Sequence, residues 1–127
     1  MTIHLDHAIV PSHNQIASAK LLAELLNVPW AATSIGQFSP VYLNDGLTLD
    51  FQETDETFPV YHFCFRVSQA DFDAILERIK TAGIKYRSTL GGVVDMRVDP
   101  LFVNEHWNEP PGHQWEMLTV SYARASR

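Results

Sequence analysis

The chain has 127 residues, 46% hydrophobic and 19% charged, the composition of one globular domain rather than a disordered segment. Nine Lys and Arg against fifteen Asp and Glu leave a net charge of −6, and an acidic chain without a basic run excludes nucleic acid and anionic membrane as expected partners. The single cysteine, Cys64, excludes an intrachain disulfide and any multi-cysteine metal site.

The first seven residues lack a basic, apolar leader pattern. No apolar run approaches the ~20 residues of a membrane helix, so a cytoplasmic protein is expected. A first strand is expected over residues 3–10, where Val and Ile dominate. The helix after it takes its apolar face from Ile16, Ala19, Leu22, Ala23, Leu25 and Leu26. Ser12 or Asn14 can cap it, and Asn27 with Pro29 ends it. Trp30 is expected in the core. Apolar residues 41–43 and 47–52 then flank Asn44-Asp45-Gly46, a hairpin signal. A second strand of the same kind spans 60–67. Ser68 precedes Asp71 by three, as in a capping box. Phe72, Ile75, Leu76 and Ile79 recur at the helical period, and Gly83 follows as a C′ stop. Beyond it come Gly91-Gly92, an apolar run at 101–103, the turn Glu109-Pro110-Pro111-Gly112 and a last strand over 114–122.

The order strand, helix, strands thus occurs twice, and the halves align. His7 and His62 stand 55 apart in the opening strands, and the same offset places Ala19 on Ala74 and Leu21 on Leu76. Gly46 and Gly112 each open a last strand, 66 apart, and that offset places Asp50 on Glu116. Residues 57–59 are the natural joint.

Strand alternation sets His7 on a face with Ile3, Leu5 and Ile9, read as inward. It sets His62 with Val60 and Cys64, and Glu116 with Leu118 and Val120. A carboxylate on an apolar strand face is costly unless a positive group meets it. Two imidazoles and one carboxylate form a donor set for a divalent transition metal with open positions. An isolated strand histidine is more often a hydrogen-bonded structural residue, and spacing alone does not bring these groups together. Asp50 shares a polar face with Thr48 and Gln52, opposite Leu47, Leu49 and Phe51. Cys64 is read as a small buried hydrophobe. His113 belongs to the closing turn, and His4, His13 and His106 to the surface. Arg97, Trp107 and Tyr42 are candidate substrate contacts, and Arg124 and Arg127 belong to a solvated tail.

Leu5-Asp6-His7-Ala8-Ile9-Val10 resembles the opening strand of the vicinal oxygen chelate superfamily. That group includes glyoxalase I, fosfomycin-resistance thiol transferases, methylmalonyl-CoA epimerase, extradiol dioxygenases and bleomycin-binding proteins. His62-Phe63-Cys64-Phe65-Arg66-Val67 resembles the opening strand of its second module. The segment from Glu109 to Glu116 is similar to its closing signature, and that from Asn44 to Phe51 to the matching first hairpin.

The resemblance implies an α+β fold of two βαβββ modules forming a curved, cupped mixed sheet with helices outside. It implies one domain over residues 1–127, module one at about 1–56 and module two at about 60–122. It implies that His7, His62 and Glu116 bind one divalent ion: Zn, Ni, Co, Mn or Fe(II). Asp50 and Glu116 become the catalytic candidates, Asp50 one methylene shorter than the usual Glu. The partners implied are a small-molecule substrate and a second copy of the chain. The leading activity is a glyoxalase-like, metal-dependent lyase or isomerase on a substrate with vicinal oxygens. An Fe(II)-dependent dioxygenase and a non-catalytic binding or antibiotic-resistance protein stand as alternatives.

Overall fold

The computed structural model describes residues 2–33, 36–89, 93–97 and 113–121, with 87–89 and 93–97 given by their backbone. The expected run at 101–103, the turn at 109–112, Gly91-Gly92, His106, Trp107, Arg124 and Arg127 lie outside the described residues, as does the Arg97 side chain. The chain divides after Pro59 into two compact units.

The first unit contains β1 (His7–Ser12), α1 (Gln15–Leu26), β2 (Ser39–Tyr42) and β3 (Thr48–Glu53). Asn14 caps α1, its Oδ1 accepting the Ala17 amide at 3.1 Å, so a donor left over at the helix start is satisfied. Ser12 instead accepts the Asn14 amide and shares a hydrogen bond with Ser18. Asn27 ends the helix in the left-handed region, φ 57, a conformation Asn tolerates better than most residues. Ala19, Leu22, Ala23 and Leu25 are buried, whereas Ile16 is exposed. The 44–46 turn closes as expected: Leu43 N–H donates to the Leu47 carbonyl and Gly46 N–H to Asn44 Oδ1. Strand β3 is central, parallel to β1 and antiparallel to β2. The first strand starts at His7, not residue 3. Residues 3–5 make no ladder, and Ile3 and Leu5 are 90% and 66% exposed.

The second unit contains β4 (His62–Arg66), α2 (Gln69–Thr81), β5 (Tyr86–Thr89), β6 (Val93–Arg97) and β7 (Gln114–Leu118). Ser68 Oγ accepts the Asp71 amide at 3.1 Å. Gly83, φ 71, closes α2 with Gly83 N–H on the Lys80 carbonyl and Ile84 N–H on the Ile79 carbonyl, a Schellman motif that needs the glycine's freedom. Phe72, Ile75 and Ile79 form the buried face of α2. The sheet order is β4-β7-β6-β5, with β7 parallel to β4 and antiparallel to β6. Strands β5 and β6 were not among the expected elements; Tyr-Arg-Ser-Thr lacks the apolar run that marks a strand.

The two units share one pattern. His7 pairs with Thr48 and Ile9 with Asp50; His62 pairs with Gln114 and Cys64 with Glu116. The hydrogen-bond ladders therefore keep both offsets, 55 in the opening strand and 66 in the closing one. The Trp30–Val41 bridge in the first unit stands where Tyr86 pairs with Met96 in the second. Each unit follows the βαβββ order, the first with a single bridge in place of one strand. Among the described residues, no helix is long and apolar enough to cross a membrane.

Candidate metal centre

In the first unit, helix α1 packs on all three strands. Val10, Ser12, Ser39, Val41, Leu49 and Phe51 are buried on that side. His7, Ile9, Thr48 and Asp50 occupy the other face, because directly paired residues share a side. The inward reading of the His7 face is therefore corrected. His7 is exposed, and Ile9 is 49% exposed. Alternation shows which residues share a face; the seating of α1 decides which face is covered.

His7 donates from Nδ1 to Asp6 Oδ2 at 2.8 Å. That hydrogen bond holds the His7 pKa above its ordinary value; the charges of Asp6 and Asp50 add to it and desolvation opposes it. With Nδ1 engaged, Nε2 is the nitrogen His7 has to offer. Asp50 is half-buried opposite Ile9, and its neighbours Leu49 and Phe51 are buried on the other side, as the β3 pattern implied.

In the second unit, His62 opens β4 and Glu116 sits two rungs along the facing strand. Their side chains meet, His62 Nε2 donating to Glu116 Oε1 at 2.6 Å. The Glu116 side chain is 4% exposed and that of His62 47%. A carboxylate this deep needs a positive or hydrogen-bonding partner, and the imidazole is one. The opposite face carries aromatic residues. Trp115 is fully buried and stacks on Phe63 at 4.6 Å and on Phe65 at 5.8 Å.

Several expectations need correction. Cys64 lies opposite Glu116 in register but is exposed, not a buried hydrophobe. His113 is buried: its Nδ1 accepts the Tyr61 amide at 2.9 Å and its ring stacks on Tyr61. His13 is half-buried, donating to the Thr54 carbonyl and lying against Phe58. Trp30 is half-buried at its bridge rather than in the core. His4 and Tyr42 are exposed, and Val120 lies past the end of β7 in solvent. The roles of Asp6 and His113 escaped the sequence analysis. For Asp6 the signal was its place next to His7; for His113 no local signal exists, because its partner is 52 residues away.

Among the described residues, no three His, Cys, Asp or Glu side chains gather into one cluster able to hold a metal ion. The structure joins His62 to Glu116 in one unit, and His7 to Asp6, within the field of Asp50, in the other. The donor chemistry nevertheless fits a divalent ion. Glu116 is a buried carboxylate already met by the His62 ring, His7 presents Nε2, and an ion would take the place of the proton shared by His62 Nε2 and Glu116 Oε1.

The solved structure of the oxidase ChaP-H2 is 30% identical, covering 98% of this chain and 99% of its own, with a TM-score of 0.80. This chain belongs to the vicinal oxygen chelate superfamily. Oxidase ChaP-H1 is 26% identical over 95% of this chain and 98% of its own, TM-score 0.74. A glyoxylase/bleomycin resistance protein/dioxygenase domain from Frankia sp. EAN1pec is 17% identical over 94% and 98%, TM-score 0.67. That third likeness shows the superfamily's fold. No family model matches the chain, and no curated protein does.

Proposed function

We propose that this superfamily member is a metal-dependent oxidase acting on a small molecule with two neighbouring oxygens. His7, His62 and Glu116 are its metal ligands and Fe(II) its metal. The observation that carries this reading is the likeness to two oxidases, 30% and 26% identical over nearly the whole chain. The donor set supports it, since two histidines and one carboxylate with open positions suit non-haem Fe(II). The glyoxylase-named neighbour is 17% identical, which carries the fold alone, so the oxidase takes precedence over a lyase or isomerase.

Bound by these residues, Fe(II) would supply Lewis-acid and one-electron chemistry toward dioxygen and the paired oxygens of a substrate. The protein's part is to hold the buried Glu116 carboxylate on β7, and to offer Nε2 of His7 and, once its proton to Glu116 has left, Nε2 of His62. Asp50, half-buried on the His7 face, takes a proton from the substrate hydroxyl as it binds. The chain works as a homodimer, a reading supported by Ile3, Leu5 and Ile9, exposed apolar residues that a second copy would cover.

The test is anaerobic loading with Fe(II), followed by nitric oxide and then by a panel of catechols, enediols and α-hydroxy ketones under dioxygen. A high-spin iron–nitrosyl EPR signal and panel-dependent dioxygen uptake are expected. Isomerisation or cleavage of panel members by the Ni- or Zn-loaded chain, without dioxygen uptake by the Fe(II) form, contradicts the oxidase.

A further inference from the structure

We propose that His113 is a positioning residue for the metal centre: its Nδ1 clamps the Tyr61 amide and so sets the β4–β7 register that carries His62 Nε2 onto Glu116 Oε1. The inference rests on the proposed ligand set and deepens it.

Among the described residues β4 pairs with β7 alone, at the end of the sheet order, so β7 sets its register. A slip of one residue would turn His62 onto the Trp115 face and carry Phe63 and Phe65 off it. The ladder is pinned at its first rung. Gln114 N–H donates to the Tyr61 carbonyl at 2.9 Å, and Tyr61 N–H donates to His113 Nδ1 at 2.9 Å. Both polar groups of the Tyr61 backbone are thus taken by consecutive residues of the closing segment. The His113 ring adds a stack on Tyr61 at 5.1 Å, tilted by 10°, and edge contacts to Phe63 and Trp115. His62 follows Tyr61 directly, and Glu116 lies three residues past His113.

The first unit supplies a control. There Thr48 N–H donates to the Asp6 carbonyl at 3.0 Å, the counterpart of the Gln114–Tyr61 bond. The counterpart of His113 is Leu47, whose side chain has no acceptor. In that unit the ligand is held through its ring, by the Asp6 carboxylate on His7 Nδ1. The two histidines are therefore held by different devices, one through its ring and one through the backbone that precedes it.

The experiment compares His113→Asn, His113→Gln and His113→Phe. Asn places an oxygen near the Nδ1 position, Gln carries it one methylene too far, and Phe keeps the ring without an acceptor. In the metal-free chain, Tyr61 amide exchange is expected to quicken about tenfold or more in the Gln and Phe variants and to stay near wild type in Asn. The His62 ring resonances should move in the same two variants only. Co(II) affinity should fall about 10- to 100-fold in Gln and Phe, as for other groups that orient a ligand, and recover in Asn. Unchanged Tyr61 exchange in all three variants overturns the clamp. So does equal damage in Asn and Phe, which would assign His113 to packing alone. Should Phe fail to fold, the Asn and Gln pair makes the same comparison. A wild-type chain that takes up no Co(II) overturns the metal reading instead, since the exchange arm is read without metal.

Discussion

His62→Ala in the metal-free chain should be among the most destabilising changes at a half-exposed position. Glu116, 4% exposed beside the intact ring, loses its 2.6 Å partner. A hydrogen bond to a charged group contributes about 1.5–3 kcal/mol. Stripping one partner from a fully buried pair costs about 3–5 kcal/mol. The 47% exposure of His62 lets water reach Oε1, which favours the lower range, about 1.5–3 kcal/mol. For a chain of this length that lowers Tm by about 5–12 °C. Glu116→Leu removes the charge itself, so adding it to His62→Ala should recover much of the loss instead of adding to it. Urea melts of the four proteins in a chelator, followed by circular dichroism at constant m-value, read the cycle. A His62→Ala chain within about 0.5 kcal/mol of wild type, the range of ordinary surface changes, refutes the reasoning. Strict additivity in the double variant refutes it as well.

Asp50→Asn should keep its metal and lose turnover by about 10²-fold or more, the scale for removing a general base; metal analysis beside steady-state kinetics checks both halves. Because Asp6 raises the His7 pKa, the Asp6–His7 contact is favourable below the ordinary histidine value and is lost as pH rises through the raised one. Metal requires neutral His7, so on acidification uptake should fail at higher pH than for an ordinary histidine. Asp6→Asn should lower the His7 pKa by NMR titration and shift that failure to lower pH. Sedimentation at micromolar concentration should give a mass near twice 14.4 kDa, and a monomer mass contradicts the homodimer.

Much of the fold was legible because its signals are local. Ser68 with Asp71, Asn14, Asn27, Gly83 and the Asn44–Gly46 turn each act within a few residues, and each appears where its chemistry requires. The α2 face was legible for the same reason. Strand limits were less so: Ile3 and Leu5 are apolar but exposed, and composition does not distinguish an apolar tail from a paired strand. Strand β5 has too few apolar residues to announce itself, and β6 breaks its short apolar run with Asp95.

The equivalence of Asp50 with Glu116 could be read from two offsets, because hydrogen-bond register maintains spacing. What each residue touches could not. Glu116 is buried against His62 while Asp50 is half-buried on an open face, a difference set by packing around each sheet. The exposure of Cys64 and the burial of His113 likewise follow from partners distant in sequence.

The most direct test is the metal content of the freshly purified, Fe(II)-reconstituted chain beside His7→Ala, His62→Ala and Glu116→Ala. The account predicts about one ion per wild-type chain, held by two histidines and a carboxylate, and near-complete loss in each variant. Full occupancy in the variants, or an empty wild type after reconstitution, contradicts it.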